Sequence, residues 1–186
     1  MTTRRWQDVE GWWGEGDAQE YARLISSLPD EAEIVEIGCF KGRSLASVAE
    51  IIKAKKIKVI AVDIFGTVPT PDKDVQARSA GMLEEFRTTL RDFGLTDQVL
   101  TAIGNSVDQC RIAEGFGKTF DMVFIDGDHS YDAVLADLVS WAPLIKSQGI
   151  LAGHDYGGGW TGVKKAVDEM FPTGIHLAGE LWSVRA

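Results

Sequence analysis

Short apolar runs alternate along the chain with longer segments in which apolar residues recur at every third or fourth position. A short run is typical of a buried strand, whereas the longer spacing is typical of one buried helix face. The short runs predict strands at 33–38, 57–63, 99–103, 120–125 and 149–153. The longer segments predict helices at 17–28, 43–54, 78–93, 106–114, 131–145 and 161–171. This alternation indicates an α/β fold with a mostly parallel sheet.

The tail of the chain has a different pattern. Two short extended runs flank Gly179 and predict an antiparallel hairpin added to the sheet. The predicted architecture is therefore a mostly parallel seven-stranded sheet with a C-terminal antiparallel hairpin and helices on both faces. The segment 64–77, with Pro69 and Pro71, is either a lid over the functional end of the sheet or a plain solvated insertion.

Length and composition limit the classes of protein that this chain can be. At 186 residues, 45% of them hydrophobic, it is long enough for one domain with a core and too short for two of full size. No apolar run approaches the roughly 20 residues of a membrane helix, and the first residues lack the apolar core of a signal peptide. We therefore expect a cytoplasmic protein with no membrane partner.

Net charge limits the class of ligand, and the spacing of the cysteines indicates their chemical state. The net charge of -9 would repel a phosphate backbone, so a small-molecule substrate is expected and nucleic acid is not. Cys39 and Cys110 form no CxxC pair and are interpreted as reduced thiols.

The first predicted strand runs through a glycine turn into a helix. Glu36, Gly38 and Gly42 form an E-x-G-x-x-x-G pattern, whereas a dinucleotide turn has the spacing G-x-G-x-x-G. A carboxylate at this point would repel a pyrophosphate but could accept hydrogen bonds from an ammonium group. The pattern therefore suits the amino acid half of S-adenosyl-L-methionine (SAM) better than NAD. A tight structural turn with a solvent-facing Glu36 is the alternative.

Two further segments indicate an adenosine ligand. Asp63 ends the second strand, where an acidic side chain accepts hydrogen bonds from ribose hydroxyls in both NAD and SAM enzymes. Asn105 and Ser106 follow the third strand. Ser106 is a candidate helix N-cap, a candidate adenine contact, or both.

Acidic and histidine residues follow the fourth and fifth strands. Asp126 and His129 come after the fourth strand, and His154 and Asp155 after the fifth. Adjacent parallel strands would place these segments on one rim, so Asp126 and Asp155 could face a shared cation. A hydrogen-bonded rim without metal is the alternative.

Together these motifs resemble class I SAM-dependent methyltransferases, especially catechol O-methyltransferase-like enzymes and small bacterial relatives, over roughly residues 30–171. The resemblance implies a Rossmann-like fold in one domain, 1–186, with an N-terminal helical cap at 1–30 and a core at 31–186. It implies SAM as cofactor, with a methionine site, a ribose site at Asp63, an adenine contact at Ser106 and a further cofactor contact at Asn105. The methionine site would comprise Glu36, Gly38, Phe40, Gly42 and Ser44, and Asp126 would help to orient the cofactor.

The resemblance also implies a divalent metal, Mg or Mn, held by Asp126, His154 and Asp155. The family usually has Asp followed by Asn on the fifth strand, whereas this chain has His154 and Asp155. Imidazole is a softer ligand that suits manganese, iron, nickel or zinc better than magnesium, so the identity of the metal stays open.

His129 lies where the family carries a catalytic lysine, and it is predicted to act as general base beside Asp126. The alternative is that His129 and Ser130 only organise the start of the following helix. The predicted reaction is methyl transfer from SAM to an oxygen of a small molecule.

Two other functions stay open: a non-catalytic SAM- or nucleotide-binding module, and an NAD(P)-dependent oxidoreductase, although no Tyr-x-x-x-Lys set is evident. The acceptor pocket would be built by the N-terminal tryptophans, the 64–77 segment and residues 157–160. An exposed tail strand and surface tryptophans would suit a homodimer.

Overall fold

A computed structural model describes residues 4–67, 73, 76 and 79–186 of the chain. Its seven-stranded sheet has the order β3-β2-β1-β4-β5-β7-β6. The strands are β1 Glu33–Ile37, β2 Lys58–Asp63, β3 Val99–Ile103, β4 Phe120–Ile125, β5 Ile145–Gly153, β6 His176–Ala178 and β7 Leu181–Arg185. Strands β1 to β5 pair in parallel, while β7 pairs antiparallel with both β5 and β6. This confirms the predicted Rossmann-like sheet with its C-terminal hairpin.

Seven α-helices lie among the described residues. They are α1 Glu15–Ser27, α2 Arg43–Ser47, α3 Ala49–Lys55, α4 Met82–Asp92, α5 Ser106–Gly115, α6 Tyr131–Trp141 and α7 Thr161–Met170. Short 3-10 helices cover Trp6–Asp8 and Ala142–Leu144. None of the described helices combines the length and apolar character needed to cross a membrane.

Four predicted boundaries were wrong. The helix predicted at 43–54 is divided at Val48, whose φ of -116° and ψ of 12° are not helical. Helix α4 begins at Met82 rather than residue 78, because Gly81 has a left-handed φ of 74°. Residues 68–72, 74–75 and 77–78 of the predicted loop and helix lie outside the described residues.

The other two differences meet at the end of α6. This helix ends at Trp141, and Pro143 lies in the short 3-10 helix that replaces its predicted last turn. Strand β5 then begins at Ile145, four residues before the predicted position. The residues after Ile145, 146–148, are polar, so no apolar run indicated a strand there.

Two apolar layers pack on opposite faces of the sheet. One layer joins α1 to α4 with alternate strand residues and includes the buried side chains Tyr21, Phe86 and Phe124. The other joins α5 to α7 with the remaining strand residues and includes Trp141 and Trp182. Each such side chain contributes roughly 1.5–3 kcal/mol by leaving water. The core thus fixes the parallel strands so that their carboxyl ends share one edge.

Candidate active site

The predicted site residues lie near the carboxyl ends of the five parallel strands β1 to β5. Strands β2 and β3 lie on one side of β1, and β4 and β5 lie on the other. The chain therefore crosses from one side of β1 to the other between β3 and β4. Open α/β sheets bind ligands in the crevice that such a reversal creates. The glycine turn after β1 and the acidic residues after β4 and β5 are therefore brought together.

Gly38 and Gly42 have structural reasons to be glycine. A Cβ on Gly38 would lie 1.9 Å from the backbone oxygen of Asp126, and its φ is 82°. Gly42 also has a φ of 82°, and a Cβ there would lie 3.1 Å from the Phe86 ring. The turn thus allows β1 and β4 to approach each other closely at the site. Roles of these glycines in SAM binding stay predictions.

Glu36 is buried with two hydroxyl partners. Its Oε2 accepts a hydrogen bond from the Tyr21 hydroxyl at 2.6 Å, and its Oε1 accepts one from the Ser44 hydroxyl at 2.6 Å. The alternative of a solvent-facing Glu36 was therefore wrong, since the residue is only 1% exposed. Burial raises the pKa of Glu36 to about 7, although both hydroxyls favour the charged form.

Asp63 connects two loops at the same edge. Its Oδ2 accepts a hydrogen bond from the Phe40 backbone N–H at 2.8 Å, and its Oδ1 accepts one from that of Phe65 at 2.7 Å. Phe40 and Phe65 both have a φ of 46°, an uncommon value that these bonds help to hold. Burial raises the pKa of Asp63 above its usual value despite these backbone donors.

The segment after β3 differs in part from its prediction. Asn105, and not Ser106, is the N-cap of α5, since its side chain accepts a hydrogen bond from the Val107 N–H at 3.0 Å. The hydroxyl of Ser106 accepts a hydrogen bond from Trp141 Nε1 at 2.8 Å and donates one to the Asp137 carboxylate. Burial raises the pKa of Asp137 to about 6. The adenine contact of Ser106 and the cofactor contact of Asn105 stay predictions.

Asp126, His154 and Asp155 form a compact group of possible metal ligands. One ligand atom from each lies within 4.8 Å of the others. His154 Nδ1 is 3.3 Å from Asp155 Oδ2 and 3.7 Å from Asp126 Oδ1. The group also lines a cavity of about 10 Å³, which is roughly the space of one water-sized particle. These nitrogen and carboxylate donors fit a divalent cation of the manganese, iron or zinc type.

His129 joins this group through Asp155. Its Nε2 lies 2.9 Å from Asp155 Oδ2, and its ring stacks on Trp160 with centroids 4.1 Å apart. Two imidazoles, those of His129 and His154, therefore approach the same oxygen of Asp155, whose own φ is 64°. Ser130 occupies the N-cap position of α6 but forms no capping bond with its side chain.

Burial and charge determine where protons reside in this group. Burial is the main reason that the pKa of Asp126 is raised to about 8. Burial opposes charge on His154, but the hydrogen bond to Asp155 and three nearby carboxylates outweigh it and raise its pKa to about 9. The pKa of Asp155 stays well below its usual range, because the two imidazoles outweigh burial. A cation would replace protons on these ligands.

The N-terminal segment covers the group. The Trp13 ring lies 5.2 Å from the His154 ring and 5.9 Å from the Phe124 ring, measured between centroids. Asp17, in the first turn of α1, places Oδ1 3.5 Å from His154 Nε2. The sequence did not single out Asp17, Tyr21 or Asp137. For Asp137 a signal existed, because it interrupts an otherwise apolar stretch of α6.

Known proteins share both sequence and fold with this chain. A family model described as a methyltransferase domain matches residues 35–156, more than half of the chain. The chain belongs to this methyltransferase family. As the sequence motifs implied, the methyltransferase is a SAM-dependent enzyme of class I.

Solved structures show that the methyltransferase shares its fold with other enzymes. The O-methyltransferase NovP has a TM-score of 0.71 and 19% identity over 92% of this chain and 80% of its own. An O-methyltransferase from Bacillus cereus, solved with S-adenosylhomocysteine (SAH), has a TM-score of 0.67 and 14% identity over 97% and 86%. The TDP-rhamnose 3'-O-methyltransferase CalS11 has a TM-score of 0.64 and 18% identity over 90% and 76%.

Proposed function

We propose that this methyltransferase transfers the methyl group of SAM to an oxygen of a small hydroxylated molecule with the help of a divalent metal. The observation that supports this most directly is the group of Asp126, His154 and Asp155 donors, with His129 in contact with Asp155. Methyl transfer needs only a site for the cofactor. Possible metal ligands close to a histidine base are in addition suited to activating a hydroxyl group of the acceptor.

His129 would take the proton of the acceptor hydroxyl. Its Nε2 faces Asp155 Oδ2, so an N–H there donates to the carboxylate and leaves Nδ1 to accept the proton. The contact with Asp155 and the stacking on Trp160 would hold the ring in place. When bound, a divalent cation would lower the pKa of that hydroxyl and stabilise the negative charge on its oxygen.

The methyl transfer itself would be an in-line displacement. A carbon–oxygen bond forms to the acceptor as the carbon–sulfur bond of the sulfonium breaks, giving a methyl ether and SAH. The charged sulfur is already a good leaving group, so the residues of the site mainly align the reactants. Asp126 would serve both to orient SAM and to bind the metal.

A small acceptor is favoured by the charge of the chain. The net charge of -9 opposes binding to a nucleic-acid backbone. Trp12 and Trp160, which remain 53% and 44% exposed, are candidates for acceptor contacts. A homodimer stays a prediction.

Two other functions predict different behaviour. A non-catalytic binding module would bind SAM or SAH without turnover, and the histidine and carboxylate group gives it no advantage. An NAD(P)-dependent oxidoreductase is disfavoured, because the chain belongs to a methyltransferase family and its glycine spacing departs from the dinucleotide pattern.

Methyl transfer from labelled SAM to a panel of catechols, sugars and other hydroxylated metabolites tests the proposal. We expect turnover that a chelator abolishes and that added manganese or magnesium restores. His129→Gln should lower kcat by about 10²- to 10⁴-fold and leave the Kd for SAH nearly unchanged. Ser130→Ala, a neighbour without a capping bond, is the matched control and should retain activity.

Chelator-insensitive turnover would show methyl transfer without metal. SAH binding with no turnover of any acceptor, even with metal added, would favour the binding module. Turnover that His129→Gln leaves intact would exclude His129 as the base.

A further inference from the structure

His154 lies between the carboxylates that follow β4 and β5 and an aspartate near the N-terminus of the chain. The residue is 7% exposed, and its two ring nitrogens face different groups. Nδ1 faces Asp155 Oδ2 and Asp126 Oδ1, whereas Nε2 lies 3.5 Å from Asp17 Oδ1. Nε2 is buried and forms no hydrogen bond within the described structure. A buried nitrogen without a partner costs free energy, so the nearest acceptor matters.

Asp17 is fixed in the position from which it faces His154. Its Oδ2 accepts a hydrogen bond from the Gly14 N–H at 2.8 Å, at the start of α1. The second oxygen, Oδ1, is the one that faces the imidazole. The Trp13 ring packs against the same imidazole, with centroids 5.2 Å apart. Trp13 therefore packs against the ring of His154, and Asp17 approaches its Nε2.

The chemistry of imidazole connects these contacts to the metal ligands. A neutral imidazole has one N–H, and the nitrogen without it has a lone pair available to a cation. If Nε2–H donates to a carboxylate, the lone pair lies on Nδ1, toward Asp126 and Asp155. Carboxylate partners of this kind orient metal-binding histidines in many proteins and make them more basic.

We propose that Asp17 is a positioning residue that accepts Nε2–H of His154 and so directs Nδ1 at a divalent cation shared with Asp126 and Asp155. This inference rests on the metal site of the proposed function. It assigns a role to the N-terminal helical segment, because α1 would determine which nitrogen of His154, directly after β5, binds metal.

Metal titration of the metal-free full-length protein tests the proposal by calorimetry, using manganese and zinc salts. Asp17→Ala should weaken metal binding about 10- to 100-fold. Asp17→Asn should weaken it less, because its amide oxygen can still accept Nε2–H but carries no charge. Asp8→Ala is the matched control, since Asp8 Oδ2 accepts the Arg5 N–H at 3.0 Å at a helix start outside this group. It should change the affinity less than twofold.

A second comparison separates positioning from other roles. In a His154→Ala background, Asp17→Ala should cause no further loss of metal affinity, because the residue that Asp17 orients is absent. An equal loss in both backgrounds would overturn the proposal, since Asp17 would then bind the metal directly or act through the general structure. Wild-type affinity in Asp17→Ala would overturn it as well.

Titration with SAH shows whether each variant is folded and retains its cofactor site. Wild-type protein that binds SAH but neither metal would overturn this inference and the metal part of the proposed function, leaving the methyltransferase itself. If the wild-type protein binds metal and Asp17→Ala binds it with the same affinity, this inference alone would be overturned.

Discussion

Three carboxyl groups that are buried or half-buried in this protein differ in the partners that surround them. Glu36 is contacted by two hydroxyls, Asp63 by two backbone N–H groups, and Asp155 by two imidazoles. Only the imidazoles can carry a full positive charge, and only Asp155 among these three has a lowered pKa. The protonation state of each acid is thus determined by its nearest donors as well as by its burial.

Glu36 should make the stability of the protein depend on pH. Its pKa is about 7 in the folded protein and 4.5 when exposed. The folded state therefore holds the proton more tightly, and the free energy of unfolding should fall as pH rises from about 4.5 to 7. Glu36→Gln keeps the shape without titrating, so its stability relative to wild type should rise by about 3 kcal/mol over this interval.

Urea unfolding of both proteins at several pH values measures this difference. Ser27→Ala, a hydroxyl substitution at the end of α1 away from Glu36, controls for general effects of substitution and should show no such trend. A constant difference between Glu36→Gln and wild type across the interval would contradict the raised pKa.

At the scale of elements, the site depends on how closely β1 and β4 approach each other. Strand β1 pairs with β4 up to the Ile37–Ile125 pair, and the chain after each strand then turns. Gly38 N–H donates to the Val62 carbonyl, and Asp126 N–H donates to the Ile37 carbonyl, so three strands are linked at this point. A side chain on Gly38 would have to displace the backbone that carries Asp126.

Gly38→Ala should therefore destabilise the protein strongly. Its Cβ would lie 1.9 Å from the Asp126 oxygen, so backbone must move. Gly117→Ala is the matched control, because Gly117 has a φ of 64° but a Cβ there would meet no atom within 4 Å. We expect Gly38→Ala to cost about 2 kcal/mol more than Gly117→Ala, measured by chemical denaturation. Equal costs would mean that only the backbone angle matters.

At the scale of the whole molecule, SAH and a metal ion should each stabilise the folded chain, although the two proposed sites share Asp126. SAH at 100 times its Kd should add about 2.7 kcal/mol, which corresponds to a rise in Tm of about 5 to 10 °C. Manganese should give a further rise that EDTA removes. Asp155→Asn should retain the SAH effect and lose the manganese effect, whereas exposed Asp132→Asn should retain both. Thermal unfolding would contradict this if Asp155→Asn still responded to manganese.

Much of this architecture could be predicted from the sequence, because local patterns carry it. Apolar runs located the strands, and polar residues at strand ends indicated Asp126, His129, His154 and Asp155, which the structure brings together. Contacts between distant elements could not be predicted in this way. Periodicity identifies a buried face of α1 but does not say that Tyr21 meets Glu36.

Strand β7 has a consequence for the order in which the site can form. It pairs with β5 from the Ile150–Arg185 pair to the Gly153–Trp182 pair, directly before His154 and Asp155. During synthesis, one edge of β5 stays unpaired until residues 181–185 have emerged from the ribosome. By then β1 to β4 have already been synthesised. The strand that carries half of the histidine and carboxylate group is therefore among the last parts of the sheet to gain its neighbours.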